Sequence, residues 1–417
     1  MAEASGGWPC GWRRGARKQE LMFEDLKAAP PDAILGLSEG FRADPREAKV
    51  NLTVGVYQDE AGQTPVLATV REAAFELLEA EKTKEYLPIP GRPELGRSIR
   101  ELLFGASDEL VSGGRAVTAQ TPGGTGALRI AGDFLRETSA PTVWLSAPTW
   151  PNHPAIFAAA GLPTRTYPYL EAASGELDAE AFLGALREVP AGDVVLLHGC
   201  CHNPSGVDPD FAIWQEIASI AAERGWLPLV DLAYQGFGEG IEEDVRGLRE
   251  LTAHVPELLV CSSFSKTFGL YRERIGALTL ITQESGHASA ALSQLKITIR
   301  TSYSTPPAQG GEIVSLVLGD AARRARWQVE LNAMRGRIHG MRTGLVDALA
   351  AAGASRDFSF LARQKGMFSL LGISKEQVEA LRDDHAIYLV GSGRINVAGL
   401  TPTNLESVAR ALVATGA

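Results

Sequence analysis

From residue 143 onward, the chain alternates short apolar runs with longer stretches in which apolar residues recur at helical spacing. The runs are rich in Val, Leu and Ile without polar alternation, which is typical of strands covered on both faces of a sheet. Strand and helix in alternation predict an α/β architecture with a largely parallel sheet, whose ligands bind at the carboxyl ends of the strands. The predicted strands lie at 143–145, 194–197, 227–230, 258–261 and 277–281.

The stretches between these strands predict helices, and an aspartate opens each of the first two. Asp178 and Asp208 are the candidate N-caps. After about residue 316 the pattern changes to long helical segments separated by one short extended piece. A second, smaller α+β unit is therefore expected. The helices are predicted at 178–188, 208–224, 288–300, 323–352 and 375–385, and the extended piece at 366–371.

Composition excludes several classes of protein. The 417 residues are 45% hydrophobic and 22% charged, which is ordinary for a globular chain of two or three domains. No apolar run approaches the ~18 residues of a bilayer-spanning helix. The net charge of −10, with dispersed Lys and Arg, argues against a nucleic-acid partner. An anionic substrate would therefore need specific local cations.

The cysteines and the N-terminal segment carry separate expectations. Four cysteines without C-x-x-C spacing indicate a reducing, cytoplasmic compartment, and no metal site is expected. Residues 1–21 combine Trp8, Trp12 and several basic residues with glycines, without any periodicity. We predict that this segment is a disordered extension or an upstream mis-start, with Met22 as the natural first residue.

The most informative segment surrounds Lys266, directly after a predicted buried strand. Ser263 and Ser265 lie shortly before this lysine in the sequence. An amine in an enclosed polar pocket can lose its proton and condense with a carbonyl. The predicted strand at 227–230, the one before it in the chain, is followed directly by Asp231. A carboxylate about 4 Å from a pyridinium nitrogen is worth ~4 kcal/mol at an effective dielectric near 20, enough to keep such a ring charged. Asn203 and Tyr234 are candidate donors to a phenolate oxygen on the same ring.

A glycine-rich loop at 121–128 opens a predicted helix. Gly123, Gly124 and Thr125 lie in this loop, where free backbone amides and the helix dipole favour an anion such as a phosphate. Arg274, eight residues past Lys266, is a candidate for the charge that meets the same phosphate.

Taken together, these residues resemble the class I aminotransferases that depend on pyridoxal phosphate, in the aspartate and aromatic aminotransferase subgroup. The resemblance runs from about Phe23 to the C-terminus. It implies the type I fold of these transferases, with a large domain whose mostly parallel seven-stranded sheet lies between helices, plus a smaller α+β domain. The implied boundaries are 22–64 for the N-terminal arm and part of the small domain, 65–330 for the large domain and 331–417 for the rest of the small domain. The matching blocks lie at 51–60, 121–129, 148–153, 198–206, 231–236, 262–274 and 392–399.

The resemblance also implies roles for individual residues. Lys266 is the implied Schiff-base lysine and proton carrier, Asp231 the partner of the ring nitrogen, and Trp150 the aromatic that stacks on the ring. With Tyr234 these form the implied catalytic set, and His153 and His198 support Asp231. The implied cofactor-binding residues are Gly123, Gly124, Thr125, Trp150, Asn203, Asp231, Tyr234, Ser263, Ser265, Lys266 and Arg274, together with Tyr86 of the neighbouring subunit.

Two arginines in this resemblance bear on the substrate. Arg394 is similar to the arginine that binds the α-carboxylate, and Arg300 to the one that reaches a distal carboxylate across a dimer interface. A planar guanidinium meets a carboxylate at two points, which lysine does not do. Gly55, Trp150 and Asn203 complete the implied substrate site.

The expected activity is reversible transfer of the amino group from L-aspartate to 2-oxoglutarate in a homodimer with shared sites. It would proceed by a ping-pong mechanism through pyridoxamine phosphate. Val56, Thr64 and Thr125 are similar to the aspartate-preferring members, whereas Thr305 departs from the common pattern. The alternatives are an aromatic aminotransferase of broad specificity and a non-catalytic binding protein of the same fold. A nicotinamide-dependent dehydrogenase is disfavoured, because no acidic ribose ligand follows the glycine loop at about 20 residues.

Overall fold

The structure is a computed structural model that describes residues 26–28, 35–171 and 174–416. The predicted extension at 1–21 lies outside the described residues. The described helices are α1 (Leu35–Ala43), α2 (Ala68–Ala80), α3 (Pro93–Phe104), α4 (Glu109–Ser112), α5 (Gly123–Thr138), α6 (Asn152–Ala159), α7 (Ala179–Arg187), α8 (Phe211–Arg224), α9 (Arg246–His254), α10 (Ser285–Ser302), α11 (Ala308–Gly319), α12 (Ala321–Ala351), α13 (Phe360–Arg363), α14 (Lys375–His385) and α15 (Leu405–Ala414). The described strands are β1 (Val50–Asn51), β2 (Ala116–Pro122), β3 (Val143–Ala147), β4 (Thr164–Pro168), β5 (Val194–His198), β6 (Leu227–Leu232), β7 (Leu258–Ser263), β8 (Ile275–Ile281), β9 (Phe368–Leu370), β10 (Ile387–Tyr388) and β11 (Arg394–Asn396).

Seven of the strands form one sheet in the order β2-β8-β7-β6-β5-β3-β4. The pairs from β7 to β4 are all parallel. Strand β8 runs antiparallel to both of its neighbours, β2 and β7. The predicted seven-stranded, mostly parallel sheet is therefore confirmed.

The predicted apolar runs are the central strands of this sheet. Every residue of β5, β7 and β8 is buried, because helices cover both faces and leave no side for polar alternation. The register pairs His198 with Asp231 and Asp231 with Cys261. The polar residues at the ends of β5, β6 and β7 therefore lie side by side at one edge of the sheet.

One of the two predicted helix caps is wrong. Asp178 caps α7 by accepting a hydrogen bond from Ala181 N at 3.0 Å, as expected. Asp208 does not cap α8, which begins at Phe211 behind Asp210. The carboxylate of Asp208 instead accepts hydrogen bonds from the backbone N–H groups of Cys201 and His202, at 2.7 and 2.8 Å. It therefore fixes the turn that follows β5 rather than the helix start.

Two small sheets bring distant parts of the chain together. Strand β1 pairs in parallel with β10, and β9 pairs antiparallel with β11. The long helix α12 packs against α15 and α13. An α+β grouping of this kind is what the sequence led us to expect beyond residue 316, while the exact domain boundaries stay predictions. Among the described residues, no helix has both the length and the apolar character that crossing a bilayer requires.

Candidate active site

A cavity of about 450 Å³ opens at the carboxyl ends of β5, β6 and β7. This is the edge at which parallel α/β sheets bind ligands. Thirteen of the residues singled out from the sequence line it, although they come from seven separate stretches of the chain. They are Gly55, Gly124, Thr125, Trp150, His198, Asn203, Asp231, Tyr234, Ser263, Ser265, Lys266, Arg274 and Arg394.

Lys266 extends into this cavity from the loop after β7. Its Nζ lies 4.9 Å from the centroid of the Tyr234 ring. Burial is the main cause that lowers the pKa of Lys266 from 10.5 to about 8; the charge of Asp231 opposes this change, and the charge of Arg274 adds to it. A buried amine with this pKa loses its proton far more readily than a surface lysine, so it is suited to attack a carbonyl.

Asp231 is the acid of the site and is held by a buried histidine. His153 Nε2 lies 3.0 Å from Asp231 Oδ2, and Thr149 Oγ1 bonds His153 Nδ1 at 2.7 Å. Burial alone would raise the pKa of Asp231, but the hydrogen bond and charge of His153 outweigh it, so the pKa is lowered. Burial lowers the pKa of the neighbouring His198 to about 3. Asp231 therefore stays a carboxylate beside a neutral His198 near pH 7.

The loop between β2 and α5 forms a tight cradle with β7 and Arg274. Gly123 has a φ of +75°, and a Cβ at this position would lie 2.6 Å from Arg274 Nη2. Only glycine therefore lets the guanidinium approach the start of α5 so closely. A Cβ on Gly124 would lie 3.0 Å from Ser263 Cβ. Backbone amides, serine hydroxyls and a guanidinium thus converge as anions require.

Trp150 and Tyr234 provide the aromatic side chains of the cavity. Trp150 packs edge-on against His153, with ring centroids 5.2 Å apart. Burial raises the pKa of Tyr234, which keeps its hydroxyl protonated and available as a hydrogen-bond donor. Both side chains line the cavity, so each can contact a flat aromatic ring that binds there.

Arg394 is a buried cation in the lining of the cavity. Its Nη1 donates to Asn203 Oδ1 at 3.1 Å and its Nη2 donates to the carbonyl of Thr53 at 2.7 Å. Its Nε is buried without a hydrogen-bond partner. Burial lowers the pKa of Arg394, yet guanidinium remains charged at neutral pH. Since its bonded acceptors are neutral, the group is prepared to meet a carboxylate.

Three of the sequence-predicted site residues lie outside the lining of this cavity. Gly123 adjoins it through Arg274. Tyr86 is 92% exposed. Arg300 lies exposed near the end of α10 and donates to Ser304 Oγ. The roles implied for Tyr86 and Arg300 require a second subunit, so both stay predictions.

The cavity also contains residues that sequence reasoning missed. Tyr271 accepts a hydrogen bond from Tyr57 N at 2.8 Å, and so ties the 54–57 segment to the loop after Lys266. Phe368 lies under Arg394, with the guanidinium carbon 4.2 Å from the ring centroid. Tyr271 lies inside the matching block at 262–274, so the sequence could have indicated it, whereas Phe368 belongs to no such block. Val54, Leu128, Cys200 and Ala233 complete this set.

One group of described residues has the composition of a metal site. Ligand atoms of Cys200, Cys201 and Asp244 lie within 4.8 Å of one another. However, Asp244 already accepts hydrogen bonds from four backbone N–H groups between Gly236 and Gly240. Burial raises the pKa of Cys201 to about 11. A saturated carboxylate and a protonated thiol are poor ligands, so we interpret this cluster as a structural element rather than a metal site.

Comparison with known proteins identifies the family. The family model "Aminotransferase class I and II" matches residues 47–412. An aspartate aminotransferase of Escherichia coli strain K12 is 54% identical over 94% of this chain and 100% of its own length. An aromatic-amino-acid aminotransferase of Pseudomonas aeruginosa is 47% identical over 94% of this chain and 98% of its own. The crystal structure of an aromatic-amino-acid aminotransferase from Burkholderia pseudomallei, covalently bound to pyridoxal phosphate, has a TM-score of 0.93 at 47% identity, covering 95% of this chain and 100% of that one. This chain is therefore a member of the class I and II aminotransferase family.

Proposed function

We propose that this protein is an aspartate aminotransferase that uses pyridoxal phosphate. It would transfer the amino group of L-aspartate to 2-oxoglutarate, giving oxaloacetate and L-glutamate by a ping-pong mechanism. The observation that carries the proposal is that the Lys266 amine and the Asp231 carboxylate line one cavity. The 54% identity to an aspartate aminotransferase, against 47% for an aromatic one, supports aspartate as the preferred substrate.

The residues of the cavity fit this cofactor. Gly124, Thr125 and Arg274 provide amides and charge for a phosphate at the start of α5. Asp231, whose pKa is lowered, provides a carboxylate for a protonated ring nitrogen, and Lys266 provides an amine for the aldehyde carbon. The close approach of Gly123 to Arg274 leaves no room for a side chain at the cradle. The donors therefore match a phosphorylated pyridine aldehyde at each of its polar groups.

The chain's own residues divide the remaining work. Bound pyridoxal phosphate supplies an electron sink for negative charge that develops at the substrate α-carbon. Asp231 would keep the ring nitrogen protonated, and Asn203 and Tyr234 would donate hydrogen bonds to the ring oxygen. The amine of Lys266 would act as the base that accepts the proton from the substrate α-carbon and as the acid that donates it again. Arg394 binds the α-carboxylate with two parallel hydrogen bonds.

The second carboxylate of the substrate requires a second subunit in this proposal. Arg300 and Tyr86 are exposed on the single chain, and we propose that each serves the site of the partner in a homodimer. Ile297, on the same helix as Arg300, is 58% exposed, as expected of a surface that a partner covers. The free, buried thiols of Cys200, Cys201 and Cys261 support a reducing cytoplasmic compartment.

A substrate panel tests the proposal. Purified protein loaded with pyridoxal phosphate is assayed with aspartate, tyrosine, phenylalanine and glutamate against a matching 2-oxo acid. We expect kcat/KM for aspartate to exceed that for tyrosine by at least about tenfold, equivalent to ~1.4 kcal/mol of transition-state binding. A higher value for tyrosine or phenylalanine would instead support the aromatic alternative, and no turnover with any of the four would reject the aminotransferase proposal.

Replacing Arg300 by alanine is expected to lower kcat/KM for aspartate about 100-fold. The substitution removes a charge-assisted, two-point contact to the distal carboxylate, which is worth roughly 3 kcal/mol. Phenylalanine has no distal carboxylate, so its kcat/KM should change less than about threefold. Equal losses on both substrates would contradict the assignment. Arg410→Ala, at an exposed arginine paired with Glu406, is the matched control.

A mixture of two variants tests whether Arg300 acts across the subunit interface. Lys266→Ala and Arg300→Ala proteins are each inactive or nearly so on aspartate. After random exchange of subunits, half of the dimers are hybrids, and each hybrid has one site with both residues intact. About a quarter of the wild-type activity should therefore return. No recovery, with exchange verified by tagged subunits, would place Arg300 outside the partner's site.

The pKa of Lys266 predicts how cofactor attachment depends on pH. Below the value of about 8, the neutral amine becomes tenfold scarcer with each pH unit, so the rate of covalent attachment to cofactor-free protein should fall about tenfold per unit. Above pH 8 the rate should level off. The measurement is the growth of the visible absorbance band that borohydride reduction removes. A rate still rising steeply near pH 10 would indicate an ordinary, unshifted lysine.

A further inference from the structure

Arg342 is a buried guanidinium outside the cavity whose bonded acceptors are all neutral. It lies on α12 and is 1% exposed. Its Nη1 donates to Leu361 O at 3.3 Å and to Ser369 Oγ. Its Nη2 donates to three carbonyls, those of Lys365, Gly366 and Phe368, at 3.1, 2.8 and 2.6 Å. Burying a charged group without a carboxylate partner costs free energy of folding. The five hydrogen bonds of Arg342 offset part of that cost, and all of them go to one segment.

All five acceptors belong to residues 361–369, which we call the support segment. Its three carbonyls bonded by Nη2 converge on one planar fork, and a geometry of this kind needs arginine, because lysine has a single nitrogen. The segment leads into β9, which pairs with β11 so that Leu370 lies opposite Arg394 and Phe368 opposite Asn396. Arg342 therefore fixes the backbone that precedes and begins the strand beside Arg394.

Phe368 links the support segment to the carboxylate-binding arginine. Its carbonyl is held by Arg342 Nη2, and its ring lies 4.2 Å under the guanidinium carbon of Arg394. The ring also meets Tyr234 edge-on, at 6.1 Å between centroids. A cation held over an aromatic face in a desolvated site is stabilised and oriented by it. The ring therefore limits how far the guanidinium of Arg394 can approach this side of the cavity.

The support segment also contacts the turn that carries Asn203. Lys365 N donates to Gly206 O at 2.7 Å. Gly206 has a φ of +72°, and a Cβ there would lie 2.5 Å from Phe368 O, so the turn and the segment touch backbone to backbone. Asn203, at the start of this turn, accepts from Arg394 Nη1. The contacts of Arg394 with Phe368 and with Asn203 thus both rest on the segment that Arg342 holds, whereas its hydrogen bond to the Thr53 carbonyl does not.

We propose that Arg342 is a positioning residue for substrate carboxylate recognition, acting on Arg394 through the support segment and Phe368. The inference rests on the proposed function, because it assumes that Arg394 binds the α-carboxylate. Arg342 does not touch substrate or cofactor in this scheme. Loss of its bonds would leave the chemistry of Lys266 intact and weaken the binding of carboxylates.

Two substitutions test this scheme, each alone and together. Arg342→Lys keeps the charge but loses the planar fork, and Phe368→Leu keeps an apolar side chain but loses the aromatic face. Each should raise KM for the amino acid, and the inhibition constant of succinate, about tenfold, with kcat changed less than about threefold. The double variant should show less than the product of the two single effects, because both act along one chain of contacts.

The controls separate positioning from a general loss of stability. Arg335→Lys changes an arginine of the same helix that donates to Gly236 O at 3.0 Å and does not bond the support segment; its KM should stay within about twofold of wild type. The cofactor dissociation constant should remain within about twofold in every variant. A lowered thermal midpoint with unchanged KM and succinate inhibition would overturn the inference and leave Arg342 a structural residue.

A variant that does not fold and a wild-type protein without turnover are distinguishable from a failure of this inference. If Arg342→Lys does not fold, Ser369→Ala decides, because it removes one Arg342 bond from within the support segment; a raised KM supports the inference and an unchanged KM overturns it. The assay uses the amino acid that wild-type protein turns over fastest, since every amino acid has an α-carboxylate. Wild-type protein without any turnover would reject the proposed function together with this inference, whereas active wild type with unaffected variants would reject the inference alone.

Discussion

Replacing Lys266 by alanine is expected to abolish turnover, with kcat reduced by at least about 10⁴-fold. The substitution removes the nucleophile that joins the cofactor, and among the described residues no other lysine lines this cavity. The phosphate cradle and Asp231 are untouched, so cofactor should still bind, without covalent attachment. Steady-state assays with aspartate and mass measurement after borohydride treatment check both halves of this expectation.

Lys375→Ala is the matched control for Lys266. Its side chain is 74% exposed and pairs with Glu379 at 3.6 Å, so kcat and borohydride-stable attachment should be unchanged. Turnover by Lys266→Ala within tenfold of wild type would remove Lys266 from the mechanism.

Replacing Asp231 by asparagine is expected to lower kcat about 10³-fold. The change keeps the side-chain shape but removes the charge, and a carboxylate about 4 Å from a cationic ring nitrogen is worth ~4 kcal/mol at an effective dielectric near 20. His153 Nε2 loses the carboxylate oxygen that lies 3.0 Å from it in the same step. Because Arg394 is unaffected, KM for aspartate should change far less than kcat, and steady-state kinetics separate the two.

The control for Asp231 is an aspartate whose charge faces solvent. Asp383 pairs with Arg382 at 2.7 Å on the surface, so Asp383→Asn should have wild-type kinetics. A loss confined to KM in Asp231→Asn would show that the acid binds substrate rather than tuning the cofactor ring.

The sheet and the centre of the site were predictable because their signals are local. Strands buried on both faces must be apolar throughout. The apolar runs before His198, Asp231 and Ser263 are therefore recognisable as strands from the sequence. Parallel strands end at one edge, which places the polar residues that follow them together. Lys266 and Asp231 meet for this reason, although 35 residues separate them in the sequence.

Features that depend on long-range contacts were not predictable in the same way. Asp208 has the spacing of a helix cap, but the two N–H groups that it accepts from lie before it, on the turn after β5. Phe368 is one apolar residue in an extended segment until β9 brings it beneath Arg394. The Tyr271 hydroxyl finds its partner 214 residues away, at Tyr57 N. No local pattern encodes such pairings.

The hydrogen bond from Arg394 to the Thr53 carbonyl allows substrate preference and reaction chemistry to change independently. Its acceptor is a backbone atom, and the next two residues, Val54 and Gly55, line the cavity. Substitutions of Val54 or Gly55 would reshape the cavity wall without altering the carbonyl that accepts from Arg394 or the strand ends that carry Lys266 and Asp231. Substrate preference can therefore drift during evolution while the reaction chemistry is conserved, in keeping with the aspartate and aromatic preferences named among its relatives.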